Sequence, residues 1–240
     1  MDNNLQFHTI RGYNHENKMK NDQKFLNYFF RRDFYIFYFY FIIKADDFME
    51  RVLLHCCCAP CSLSCIDPLK AEGIEPVAFW YNPNIHPWKE YEARRDCLIN
   101  YAAEIDMRIL IDEDYGLREF VRAVADDINN RCQYCYSHRI ERTVRYAAEH
   151  NFTAFTSTLL ASIYQNHDAI KAAAEYYAEK YGVEFLYRDF RPNFRAGNQR
   201  ARELGFYMQK YCGCIFSEED RYIKKINRDK AKFAEKIIKE

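Results

Sequence analysis

Five short β-rich runs lie in order along the chain: "RVLLHC", "EPVAFWY", "MRILID", "FTAFTST" and "VEFLYRDF". Amphipathic stretches such as "HPWKEYEARRDCLINYAAEI", "SHRIERTVRYAAEHN" and "HDAIKAAAEYYAEKYG" stand between or beside them. Consecutive parallel strands need a crossover long enough to hold a helix, so this alternation predicts an α/β fold: a parallel sheet with helices on both faces. At 240 residues the chain buries an adequate core without disulfide staples. No internal repeat and no long Gly, Ser or Pro linker divides it. In such a sheet ligands gather beyond the carboxyl ends of the strands. The segments that follow the strands, "CCCAPC", "YNPNIHP" and "TSTLLAS", are therefore expected to face one crevice.

Ten cysteines are unevenly placed. Five fall in "LLHCCCAPCSLSC", directly behind the first run, at Cys56, Cys57, Cys58, Cys61 and Cys65. Two more stand in "RCQYCY" at Cys132 and Cys135, two in "YCGC" at Cys212 and Cys214, and Cys97 is alone. Metal binding needs deprotonated sulfur from several directions, and short spacings bring two ligands to one centre. The pair in "CQYC" is expected just before a helix. Cys57 and Cys58 are vicinal, and neighbouring side chains on extended backbone point apart. That geometry suits two centres, or two corners of an iron-sulfide cluster, better than one zinc ion, with zinc left open. Around Gly213, Cys212 and Cys214 suit either a dithiol-disulfide couple or metal ligation. Cys61 follows Pro60 at a helix start, where thiolate is favoured, and is a further ligand candidate. Cys97 reads as a small buried hydrophobe. Cys65, one turn beyond Cys61, and Cys56, on the opposite strand face from Cys57, are left out of the site.

Lys+Arg and Asp+Glu both number 35, so no net charge advertises a polyanionic partner and any such partner needs a local basic patch. Residues 1–48 differ from the rest. They include "FLNYFFRRDFYIFYFYFII", whose uninterrupted apolar part, Phe34 to Ile43, is about half of the ~20 residues needed to span a bilayer. This segment reads as a start-site artefact or a poorly ordered extension ahead of Met49, with an interfacial anchor as the alternative. Residues 49–240 read as one α/β catalytic domain. Without a secretory signal, a reducing cytoplasm is the expected compartment, where clustered cysteines serve metal or redox chemistry, and no stable membrane association is expected.

In this order and spacing, "LLHCCCAPCS", "FWYNPNIHPWKEYEARR", "RCQYCYSHRIERT", "FTSTLLASIYQNHDAI" and "KYCGCIFS" resemble the QueH family of epoxyqueuosine reductases. The resemblance covers roughly Glu50 to Arg221; Cys56, ahead of the vicinal pair, is not required by it. It implies a Rossmann-like fold akin to adenine-nucleotide alpha hydrolases. It also implies the two-electron removal of the epoxide oxygen of epoxyqueuosine at the tRNA wobble position, to give queuosine, with an unidentified electron donor. The implied cofactors are a [4Fe-4S] cluster, with Cys57, Cys58, Cys132 and Cys135 as its ligands, and a second metal ion, iron. Cys212 and Cys214 are then a catalytic redox pair or ligands of that second metal.

A tRNA partner needs phosphate contacts, for which the candidates are Arg94, Arg95, Arg131, Arg139, Arg142, Arg145, Arg188, Arg191, Arg195, Arg200 and Arg202. Each is also readable as part of a solvated helix face. A splayed-out base needs stacking partners, for which Tyr81, Trp88, Tyr134 and Tyr136 are available. Asn82, Asn84 and His86 read either as substrate contacts or as loop caps.

Three rival readings compete with this one. An ATP-using transferase needs a Gly/Ser-rich phosphate loop, and this chain has seven glycines and places cysteines there. A radical enzyme using S-adenosylmethionine needs CxxxCxxC, which is absent from the sequence. The alternative from another class is a non-catalytic zinc-binding module that interacts with RNA.

Overall fold

The computed structural model describes residues 51–239, with side chains described through residue 234. The extension at residues 1–48 lies outside the described residues. Strand β1 (Val52–His55) leads to helix α1 (Ala59–Ala71), then β2 (Val77–Trp80), α2 (Trp88–Glu104) and β3 (Ile109–Ile111). Helices α3 (Leu117–Val124) and α4 (Arg131–Glu149) precede β4 (Ala154–Ser157), and α5 (His167–Tyr181) precedes β5 (Glu184–Phe185). Helices α6 (Phe194–Glu203) and α7 (Ile215–Lys239) complete the described chain. Short 3-10 turns lie at Ile128–Asn130, Thr158–Ala161 and Arg191–Asn193.

All strand pairings are parallel, and the order is β3-β2-β1-β4-β5. This is the α/β sheet the alternation predicts. The chain builds outward from β1 to β3 and then returns to the other side of β1 with β4. The junction between β1 and β4 is therefore the topological switch point, where the following loops diverge and leave a crevice. Central position explains composition: Val52, Leu53 and Leu54 are all fully buried, as expected for a strand covered on both faces. His55 is also buried, and its two ring nitrogens are met by Ser157 Oγ at 2.9 Å and the Tyr81 carbonyl at 3.1 Å.

Two local readings differ from the sequence expectation. "VEFLYRDF" contributes only the two residues of β5, because the edge strand peels away toward the 3-10 turn, where Asp189 accepts the Arg191 amide at 3.1 Å. "CQYC" lies in the first turns of α4 rather than ahead of a helix, because the turn capped by Asp127 runs straight into α4. Helix α1 has no amphipathic signature because nearly every residue from Ala59 to Ile66 is buried.

Helix α1 also packs against α6, and the contact is tight. A Cβ added at Gly197 would stand 2.3 Å from Ser64 Oγ and 3.1 Å from the Ser64 amide nitrogen. Backbone as well as side chain must then move. Gly197→Ala gains up to about 1 kcal/mol of helix propensity but overpacks this contact at a cost of about 1–3 kcal/mol. The net expectation is a lower urea midpoint; a midpoint equal to or above the parent's would mean that α6 shifts freely on α1.

Candidate functional site

Beyond His55 three successive residues are handed to different partners. The Cys56 amide still donates to the Phe79 carbonyl of β2 at 2.8 Å. The Cys57 amide turns to the other side and donates to Thr158 Oγ1 at 3.0 Å, just past β4. Cys58 then caps α1, its sulfur accepting the Cys61 amide at 3.4 Å. The strand alternation that would hold the vicinal thiols apart has ended by this point. Cys57 Sγ and Cys58 Sγ stand 3.8 Å apart instead. With Cys61, the three sulfurs all lie within 4.8 Å of one another, and all three residues are buried.

The three thiols are linked by hydrogen bonds. Those from Cys58 and Cys61 hold the Cys57 thiol well below its ordinary value. Cys58 is pushed up by desolvation and by donating to Cys57, and Cys61 by donating to Cys57 and Cys58. Gln209 Nε2 donates to Cys58 Sγ at 3.2 Å. Cys56 and Cys65, excluded on sequence grounds, are fully buried in the core, and desolvation raises the Cys56 thiol to about 12. Cys97 is half-buried against the core on α2.

The other two motifs stand on the wall of the same crevice, whose volume is about 1050 Å³. Cys57, Cys61, Cys132, Cys135, Cys212 and Cys214 all line it, with Cys58 beneath. Cys132 and Cys212 are exposed, whereas Cys135 and Cys214 are buried in a small cluster with Phe120 and Val124. Among the described residues, the Cys57, Cys58 and Cys61 group is the one whose ligand atoms converge closely enough to hold a single ion. Its all-thiol donor set fits a soft metal, zinc or iron with sulfide.

The "YCGC" loop is clamped by a buried ion pair. Arg94 binds Glu90 Oε1 through Nε at 2.8 Å and Nη2 at 2.6 Å, and both side chains are buried. The same guanidinium donates to the carbonyls of Cys212 at 2.9 Å and Tyr211 at 3.0 Å. The His86 amide donates to the Gly213 carbonyl at 2.8 Å, and the Tyr211 hydroxyl to the His86 carbonyl at 2.6 Å. Gly213, at φ 145°, allows this close docking against Ile85 and Arg94.

Most of the arginines named from sequence are already paired. Arg95, Arg131, Arg142, Arg145, Arg188, Arg191 and Arg200 bind acidic side chains, Arg94 is buried on Glu90, and Arg139 is buried beside Cys135. Arg195 and Arg202 line the crevice with no carboxylate partner among the described residues, as do Lys210 and Arg221, which the sequence reading did not single out. Of the four aromatics, Tyr136 lines the crevice, while Tyr81 is tied to His138, Tyr134 stacks on His138, and Trp88 stacks on Tyr91. Tyr164, 83% exposed and lining the crevice, escapes a sequence reading because a lone Tyr in a loop carries no periodic signal. Asn82 and His86 are loop-holding groups, bonded to the Cys56 and Pro83 carbonyls at 2.9 and 3.0 Å, whereas Asn84 lines the crevice with its Oδ1 unpaired.

A family model described as "Epoxyqueuosine reductase QueH" matches residues 52–220. The chain belongs to the QueH family. Proteins named epoxyqueuosine reductase QueH in several bacteria are similar to it in sequence. That of Dehalococcoides mccartyi is 33% identical over 172 residues, covering 72% of this chain and 94% of the relative. That of Haemophilus influenzae is 36% identical over 187 residues, covering 74% and 76%. That of Thermotoga maritima is 36% identical over 182 residues, covering 72% and 93%. No helix among the described residues is long and apolar enough to cross a membrane.

Removing one partner of a buried ion pair leaves the other charge unpaired, typically at about 3–5 kcal/mol. Arg94→Met is expected to destabilise this QueH chain by that amount and to release the Tyr211–Cys214 loop. Alkylation of Cys214 in the folded protein should then accelerate at least about tenfold; equal rates in parent and variant would place the clamp elsewhere.

Proposed function

We propose that this chain removes the epoxide oxygen of epoxyqueuosine at the wobble position of tRNA, leaving queuosine. The observation that carries the reading is the buried Cys57, Cys58 and Cys61 group opening on a crevice whose wall holds "CQYC" and "YCGC". The reaction consumes two electrons and two protons, forms a carbon–carbon double bond where the epoxide stood and releases water.

Cys57, Cys58, Cys132 and Cys135 are the proposed ligands of a [4Fe-4S] cluster, one for each iron, and Cys61, whose sulfur lies with those of Cys57 and Cys58, is a further candidate for one of those positions. Bound there, a cluster supplies electrons one at a time. Cys212 and Cys214 serve either as a redox pair or as ligands of a second iron ion. As a pair, their oxidation to a disulfide releases the two electrons and two protons that the reaction takes up, and an external donor restores the dithiol.

The remaining groups bind and orient. Burial holds the Tyr136 hydroxyl above its ordinary range, so it stays protonated at neutral pH. Its oxygen accepts the Asn166 amide at 3.3 Å, which leaves its proton for an oxygen inside the crevice. The Oε1 atoms of Gln165 and Gln209 and the Oδ1 of Asn84 are buried and unpaired, acceptors for the N–H edge of a flipped base. Tyr164, edge-on to Phe194 at 5.8 Å, offers a stacking face at the mouth. Arg195, Arg202, Lys210 and Arg221 supply phosphate contacts there, a local patch in a chain of zero net charge.

The full chain, purified anaerobically, should carry about four sulfide per chain with about four iron, or about five where Cys212 and Cys214 hold a second ion, and convert epoxyqueuosine tRNA to queuosine tRNA under a chemical reductant. Cys57→Ser should lose most of the iron and at least about a hundredfold in rate. A colourless zinc protein without turnover would favour the RNA-binding module instead.

The rim makes a separate prediction. The Arg195→Ala, Arg202→Ala double variant should bind tRNA more weakly and flatten the salt dependence of binding by about 0.7–0.9 in log–log slope for each phosphate no longer neutralised, with kcat little changed. An unaltered slope would mean that the RNA backbone runs elsewhere.

A further inference from the structure

Arg139 is 2% exposed, yet it has no carboxylate partner among the described residues, unlike Arg94 with its Glu90. Nη2 donates to Cys135 Sγ at 3.1 Å and Nε to the Cys135 carbonyl at 3.3 Å. Nη1 points to Asn82 Oδ1 at 3.5 Å, and Asn82 is held in that orientation by its own bond to the Cys56 carbonyl at 2.9 Å. Among the described residues, the groups that act on it most strongly as potential anions are the thiols of Cys135, Cys57 and Cys212, one from each cysteine motif.

A guanidinium does not deprotonate in a protein, so this charge cannot be relieved by losing a proton. Burying it without a counter-ion costs several kcal/mol. Three neutral thiols do not offset that cost; anionic sulfur does. The same proximity acts in reverse on whatever the sulfurs hold. A fixed cation and an N–H donor at a ligand sulfur both stabilise the more negative state of the centre, and these are two of the levers by which a protein sets a cluster's potential.

We propose that Arg139 is the counter-charge of the sulfur site, a positioning residue that anchors Cys135 as a ligand and makes the bound centre easier to reduce than it would be without the cation. This rests on the metal-site reading above for Cys57 and Cys135. It adds a role for a residue that the sequence placed among the phosphate contacts.

The test uses the full chain, anaerobically purified, as parent, Arg139→Gln and Arg139→Lys, each checked for folding by circular dichroism. Metal and sulfide are counted, metal release to excess EDTA is timed, and the midpoint potential is read by titration followed in the visible spectrum. Arg139→Gln is expected to release metal at least about tenfold faster and to be harder to reduce. At the parent's midpoint its ratio of reduced to oxidised centre should fall at least tenfold, which is about 59 mV for a one-electron couple. Arg139→Lys, which keeps the charge but not the fork, should stay near the parent in both.

A parental midpoint in iron-loaded Arg139→Gln overturns the proposal, as does an Arg139→Lys chain impaired as badly as Arg139→Gln. If Arg139→Gln arrives empty, metal-loaded Arg139→Lys with the parental midpoint supports the proposal and an empty one overturns it. Zinc without sulfide in the parent defeats the cluster reading alone, and the release rates then decide the role of Arg139. A parent that binds no metal defeats both.

Discussion

The hydrogen bond from the Cys57 amide to Thr158 Oγ1 is where the sheet becomes a site. Inside the sheet β1 has a strand neighbour on each side, and its amides and side chains alternate by necessity. One residue past His55 the ladder to β2 is still intact, and one residue later the amide belongs to the β4 side. Cys58 then turns its backbone into α1. The amide alternation of a central strand runs on to Cys57, but its acceptor there is a side chain and Cys58 caps a helix, and this ending of the strand leaves three sulfurs close together. Replacing the strand's alternation by a helix cap turns neighbouring cysteines from opposed into convergent ligand candidates.

Around that point the chain places two buried arginines with opposite assignments. Arg94 has a carboxylate of its own and directs its remaining donors to the carbonyls of Tyr211 and Cys212, so its charge is neutralised and its geometry holds a loop. Arg139 has no such partner among the described residues and faces sulfur, so its charge remains available to the chemistry. Both lie on helices that also bury apolar faces in the core. Core packing thus fixes the position of each guanidinium before any ligand arrives, which is what a low-dielectric site requires for its electrostatics to act.

Much of this is legible in sequence where the signal is local. The five strands and helices α2, α4 and α5 follow from periodicity, and the crevice loops follow from strand order. Cys57, Cys58, Cys61 and the two later motifs follow from spacing. Helix α1 shows no amphipathic pattern because it is buried nearly all round, and "CQYC" reads as preceding α4 because the helix begins at Arg131, ahead of the amphipathic stretch that starts at Ser137. The arginines are the least legible. Of eleven candidates, Arg195 and Arg202 line the crevice without a carboxylate partner among the described residues, because whether an arginine is neutralised depends on acids brought in from distant segments, such as Glu72 for Arg188 and Asp67 for Arg200.

The sequence by itself determined that the chain is a parallel α/β sheet with thiols at the carboxyl end of its first strand. Both facts are written in runs of a few residues, through side-chain period and cysteine spacing. Only the tertiary structure decided which thiols converge, which buried cation faces them, and which surface charges are left to meet a polyanion. Those outcomes depend on contacts between residues as far apart as Cys57 and Thr158 or Arg94 and Cys212. No local pattern encodes them, because each is fixed by where the sheet places its ends rather than by the residues beside it.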